Sequence, residues 1–268
     1  MKQLKLYILL SCITLTFFCN GQSFYEKGYS EYLNENYIKS IELFSLAIEN
    51  NECIAMAYMY RGASKGYSDD FYHAVEDLNN SKKIDSTHYK LYHLYGKVYA
   101  LSGFFETSIK YLDKAISMNK EDGDLFDTRG MVKMGLNKFE DAILDLNRAI
   151  KMNPKKDNYY VNRGFIYFLL NDYNSSINDY NVAIGIKESH KAYVNRGFVY
   201  FKQNLFVKSI NDFDIALKLF PEDYETYYLR GNSYKKLGEF DKACSDFRKS
   251  AEFDYSLAKE ELKNNCTN

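Results

Sequence analysis

The chain has 268 residues, 46% of them hydrophobic, and a formal net charge of −1. That composition suits a folded protein with an ample core, and it excludes nucleic-acid binding driven by counterion release, because Lys and Arg are not in excess. Trp is absent and Pro occurs twice, against 26 Tyr and 19 Phe; so many rings need many buried niches, which a helical array supplies.

At the start of the chain, MKQLK precedes an uncharged, mostly apolar run from Leu6 to Phe18. The run is short for a membrane span and reads as a secretory signal over residues 1–21, with Cys19 and Gly21 as the small residues before a cut ahead of Gln22. A periplasmic or secreted product with no integral membrane span is then expected. The rival is a lipoprotein anchored through Cys19, although Phe17 and Phe18 stand where a lipobox prefers small residues. A retained N-terminal anchor is a third reading.

From residue 22 onward a single period governs the chain. The stretch YVNRGFIYF at 160–168 returns as YVNRGFVYF at 193–201. Its glycine belongs to the series Gly28, Gly62, Gly96, Gly130, Gly164, Gly197 and Gly231, spaced 34, 34, 34, 34, 33 and 34. Twelve residues after each comes a small residue (Ser108 and Ala142, for example), sixteen after it a large apolar one (Leu112, Leu146), and nineteen after it another small one (Ala115, Ala149). Seven copies follow, at 22–54, 55–88, 89–122, 123–156, 157–189, 190–223 and 224–255, leaving 256–268 as a capping helix and tail.

Each copy reads as two helices. In the first, Tyr160, Gly164 and Tyr167 share a face at i, i+4, i+7. Seven residues past the glycine, Gly103, Asn137, Asn171, Asn204 and Gly238 are residues that accept the left-handed conformation ending a helix. The second helix carries the small–large–small pattern, and the glycine and the small residue opposite are expected to let the two helices approach closely. Pro154 and Pro221 mark turns between copies. Ser23 and Glu26 form a capping box for the first helix. Leu257, Ala258 and Leu262 among charges fit a solvated last helix covering the open end of an array.

The period, the Gly and Ala placement, and the aromatics at Tyr160, Tyr167 and Tyr173 and their equivalents resemble the tetratricopeptide repeat. The resemblance implies an all-α, right-handed superhelical solenoid of about seven helix pairs plus a C-terminal capping helix, with a concave groove lined by the first helices. Copy 1 matches most weakly, and Lys120 replaces the usual inter-repeat proline after copy 3.

Two positions change together along the array. Arg precedes the glycine at Arg61, Arg129, Arg163, Arg196 and Arg230, and Asp follows sixteen residues later at Asp77, Asp145, Asp179, Asp212 and Asp246. Copy 3 has Tyr95 and Tyr111 there instead, and copy 1 has Lys27 and Leu43. Joint change suggests contact, and a ladder of structural ion pairs is expected rather than a repeated active site.

Catalytic and metal-binding patterns are absent from the sequence. His88 and His93 are five apart, not i, i+4, and read as surface residues like His73 and His190. KEDGDLFD at 120–127 lacks the alternating ligands of a calcium loop and reads as a solvated turn. RGFIYF carries a single mid-helix glycine and is no phosphate loop. No elbow serine or Cys–His arrangement occurs. The expectation is a non-enzyme with no cofactor and no metal.

Three cysteines remain beyond the signal segment: Cys53, Cys244 and Cys266. Cys244 takes a place filled by Ile or Val in the other copies, so it is expected to be buried. Either it pairs with Cys266 and clips the cap, or it is a buried free thiol.

In the family that the chain resembles, a stripe beside the buried one faces the groove. Here that stripe holds Met131 and Met134, then Val161, Phe165, Phe168, Val194, Phe198 and Phe201. Asn162 and Asn195 stand at a place where some family members hold peptide backbone. Two readings stand for the phenylalanines: an exposed apolar patch that marks a partner site, or rings partly buried by neighbouring first helices. The lysine–asparagine clamp of chaperone-binding members is not recognisable, since Tyr25 and Tyr29 occupy its first places. The chain is thus expected to be a non-catalytic envelope scaffold that binds a protein or peptide partner. The alternatives are a self-associating module, as a homodimer, or an accessory subunit of an envelope enzyme or assembly complex.

Overall fold

Alternating short helices and left-handed stops give the chain its architecture. The computed structural model describes residues 23–266; the expected signal segment 1–21, with Cys19, lies outside the described residues. Those residues form fifteen α-helices and no strand. They cluster into two compact units that divide between Lys138 and Phe139.

The first unit holds α1 (Phe24–Leu33), α2 (Tyr37–Glu49), α3 (Ile54–Tyr67), α4 (Phe71–Ile84), α5 (Tyr89–Leu101), α6 (Phe105–Met118) and α7 (Gly123–Gly135). The second holds α8 (Phe139–Met152), α9 (Asp157–Leu169), α10 (Tyr173–Ile186), α11 (His190–Lys202), α12 (Phe206–Leu219), α13 (Tyr224–Lys236), α14 (Phe240–Glu252) and α15 (Ser256–Asn265). In sequence these are seven helix pairs and a final single helix.

Each pair turns at a residue with positive φ. Gly103 (80°), Asn137 (58°), Asn171 (61°), Asn204 (60°) and Gly238 (79°) are such residues. Glu35 and Asp69, both at 62°, take the same place in the first two pairs. Most L side chains other than Asn and Asp pay for that conformation, so at Glu35 the repeat geometry imposes the turn even though the residue type does not favour it. At the start, Ser23 and Glu26 close a capping box.

Within each unit the core is built where the two helices of a pair meet. Phe44, Leu78, Leu112, Phe213 and Phe247 are all fully buried, and each contributes about 1.5–3 kcal/mol relative to exposure. The fixed spacing to the glycine has a steric cause. The glycine makes room both for the large residue sixteen places on and, at Gly62 and Gly231, for the backbone of the small residue at twelve: a Cβ on Gly62 would lie 2.8 Å from the Ala74 carbonyl oxygen. A Cβ on Gly96 would lie 2.6 Å from Leu112 Cγ, and one on Gly197 would lie 2.8 Å from Phe213 Cε1. The small residue has a separate role where it is serine: Ser40 Oγ donates to the Gly28 carbonyl at 3.0 Å and Ser108 Oγ to the Gly96 carbonyl at 2.7 Å.

His93 corrects the expectation of a surface residue. It is buried on α5, with Nε2 2.8 Å from Thr128 Oγ1.

Candidate functional site

The arginine series links helices. Arg163 on α9 donates through Nε and Nη2 to both oxygens of Asp179 on α10, at 2.8 and 2.7 Å. Its Nη1 reaches back to Asn147 Oδ1 on α8 at 2.5 Å. The rings of Tyr160 and Tyr167 flank the guanidinium, each centroid 5.8 Å away. Arg196 repeats this with Asp212 and Asn181, and Arg230 with Asp246 and Asp214. In the first unit Arg61 holds Asp77 in the same two-pronged way and reaches Ser45, while Lys65 adds a second cation to Asp77 at 2.8 Å. Arg129, at the end of that unit, pairs with Asp113 at 2.6 Å; Asp145 lies in the second unit, buried on α8.

The backward acceptors went unnoticed in the sequence. They are Ser45, Asp113, Asn147, Asn181 and Asp214, each seventeen residues after a glycine of the series. Copy 3 replaces the charges with rings and keeps both links: Tyr95 stacks on Tyr111 at 4.5 Å, and its hydroxyl donates to Asn79, again at seventeen, at 2.7 Å. Burial pushes the Tyr95 and Tyr111 phenols up, so both stay neutral.

Electrostatics agree with a structural duty. Hydrogen bonds to Asp179 raise Arg163 above its ordinary value, with burial working against them. At Asp246 burial prevails over Arg230 and lifts the carboxyl. With Nε, Nη1 and Nη2 engaged and rings on its flanks, the guanidinium has little left to offer a ligand.

The candidate groove residues separate. Met131 and Met134 are half-buried on α7, in the first unit. The others lie in the second unit, on α9 and α11. Val161 corrects the reading: it is 1% exposed, enclosed with Tyr180, Ala183, Ala192 and Val199, and offers nothing to a partner. Asn162, Val194 and Asn195 are half-buried, as are Phe165, Phe168, Phe198 and Phe201. The four phenylalanines form a continuous seam rather than an open patch. Ring centroids are 6.2 Å apart for Phe165–Phe168, 5.5 Å for Phe168–Phe198 and 6.5 Å for Phe198–Phe201. Tyr173 and Phe206 extend the seam, and Lys202 Nζ lies 5.1 Å from the Phe198 centroid. The corresponding stripe of copy 1 is also filled by rings, with Tyr29 4.8 Å from Tyr60.

Two open clefts of about 510 and 500 Å³ lie in the first unit, one beside Tyr72 and Phe104, the other beside Ile38. Neither involves the seam. Among the described residues no cluster of His, Cys, Asp and Glu could hold a metal, and no helix is long and apolar enough to cross a membrane. At the C-terminal end, Cys244 and Cys266 form a disulfide with Cα atoms 5.6 Å apart.

Two family models, each described as tetratricopeptide repeat, match the chain, one at residues 89–122 and 224–257, the other at 128–190. No curated protein matches it. Among solved structures it is similar to the Cut9–Hcn1 hetero-tetramer of the APC/C, at 16% identity and TM-score 0.74, covering 90% of this chain and 48% of that one, so it spans about half of that protein's length. PilW, a type IV pilus biogenesis factor, matches at 12% identity and TM-score 0.71, with 79% and 99% covered. A tetratricopeptide repeat protein from Parabacteroides merdae matches at 19% identity and TM-score 0.64, with 91% and 98% covered. At these identities the likeness is one of fold.

Proposed function

The chain is a tetratricopeptide-repeat protein, and on that premise we propose that it is a non-catalytic scaffold of the cell envelope that captures an apolar partner segment along α9 and α11. Proteins of this family generally act by binding other proteins, and one similar structure is that of a pilus biogenesis factor. The observation that carries the reading is the pairing of a phenylalanine seam with Asn162 and Asn195, thirty-three residues apart, on two successive first helices and on no others. Half-buried rings held against one another form a rigid apolar floor, and ordering them on binding costs little. A partner would lay apolar side chains on that floor, with the asparagines within reach of its backbone. Export rests on MKQLK and the apolar run that follows it.

A pull-down from the envelope fraction tests both parts. Wild-type bait is expected to retain a partner that Phe165→Glu/Phe198→Glu bait loses, with circular dichroism unchanged. Identical prey on both baits would remove the groove reading. The mass of the recovered bait reads export: a chain beginning at Gln22 supports cleavage, lipid on Cys19 supports the anchored alternative, and an intact Met1 defeats both.

A further inference from the structure

The last helix covers a surface that elsewhere in its unit receives a different kind of helix. In the core of the second unit, Val161 on α9 and Tyr180 and Ala183 on α10 enclose Ala192 and Val199 of α11. The matching residues at the end of the unit are Tyr228 on α13 and Phe247 and Ser250 on α14, by the same offsets from Gly231. Phe247 and Ser250 are fully buried, and Ser250 Oγ has no hydrogen-bond partner.

The cover, α15, is short. It has ten residues and no side-chain N-cap, and Ala258 is its single fully buried residue. Its non-covalent hold includes a half-buried ion pair, Lys235–Glu261 at 2.7 Å, an exposed one from Lys259 to Asp254 in the preceding turn, and Tyr255 just before it packed at 5.3 Å on both Tyr224 and Tyr228. A helix of that length is marginal without tertiary support. The disulfide from buried Cys244 to Cys266 then fixes its far end.

We propose that α15 is a redox-held cover, and that the face beneath it docks an amphipathic partner helix carrying two small or branched apolar residues seven apart, as Ala192 and Val199 are in α11. The occupant follows from continuity with the interface that the α9–α10 pair makes with α11. The first helix of another copy does not qualify, because Ser23 and Ser30 stand where α11 has Ala192 and Val199. Opening needs a dithiol reductant. Its thiolate attacks Cys266 Sγ, the bond to Cys244 breaks, and its second thiol resolves the mixed disulfide. Two protein thiols form, and the reductant carries away the oxidising equivalents as its own disulfide.

The test compares oxidised protein, reduced protein and Cys266→Ser, which keeps the core intact. Hydrogen exchange follows residues 256–266, and fluorescence polarisation follows a labelled peptide of residues 190–202 as the probe helix. Expected are faster exchange in α15 on reduction and in Cys266→Ser, and peptide binding at least roughly tenfold tighter than to the oxidised form. The peptide with Ala192→Glu and Val199→Glu should not bind. Unchanged α15 protection after reduction would overturn the cover. Lost protection without peptide binding, or equal binding of the Glu-substituted peptide, would overturn the docking face.

Discussion

A guanidinium joined to a carboxylate in its own helix pair and to an acceptor in the preceding one is costly to orphan. Asp179 is 1% exposed, and the side chain of Arg163 is 19% exposed. Asp179→Ala leaves a half-buried cation without its counter-charge and is expected to cost about 3 kcal/mol. Arg163→Met with Asp179→Leu removes both charges at similar volume, and its cost should be much smaller, because the buried pair itself yields little net stability. Urea unfolding of the double variant and of Arg163→Met and Asp179→Leu alone makes the double-mutant cycle; a double variant as unstable as Asp179→Ala would refute the account. The forward contact was legible in the sequence because Arg and Asp give way together to Tyr95 and Tyr111. The backward contact was not, although Ser45, Asn79, Asp113, Asn147, Asn181 and Asp214 recur at a fixed offset. No one residue type fills all six places, which hold Ser, Asn and Asp, and only the geometry of adjacent pairs shows that each meets the next copy's Arg or Tyr.

At the level of helices, ends were easier to read than faces. Glycine and asparagine announced five of the pair turns, while Glu35 hid another behind a residue type that does not favour positive φ, and Asp69 marked the last with a residue that tolerates it outside the Gly and Asn pattern. Starts vary more. Asp172 caps α10 by accepting from the Ser175 amide, and the side-chain and backbone hydrogen bonds of Ser175 hold its carboxyl below the ordinary carboxylate value. A folded value below the unfolded one means that the cap's contribution is present above the unfolded value and is lost as pH falls through the folded one. Asp172→Ala should therefore cost about 1 kcal/mol near neutrality. The gap to wild type, read from urea midpoints, should narrow between about pH 5 and pH 2. A gap that stays constant through acid would show that the carboxylate charge is not what caps the helix. Faces were harder to read. The period placed Phe165, Phe168, Phe198 and Phe201 on one stripe correctly, but exposure depends on what the adjacent first helix lays over it, and Val161 turned inward for that reason.

On the scale of the whole chain, a period of about 34 residues makes most contacts local, each pair touching its sequence neighbours. Stability in such an array is close to a sum of intrinsic and nearest-neighbour contributions, so damage should spread by proximity along the chain. Gly197→Ala is a suitable probe. Its Cβ would meet Phe213 at 2.8 and 3.0 Å and Asp212 Cβ at 3.2 Å, three contacts too tight to keep. Overpacking of this kind costs about 1–3 kcal/mol, and the better helix propensity of alanine returns about 1 kcal/mol at most. The net loss should appear first in α11 and α12. Hydrogen exchange at subdenaturing urea is expected to quicken most there, less in α9–α10 and α13–α14, and least in α1–α4. A uniform rise over all fifteen helices would mean that the chain unfolds as one cooperative block, and the nearest-neighbour description would fail.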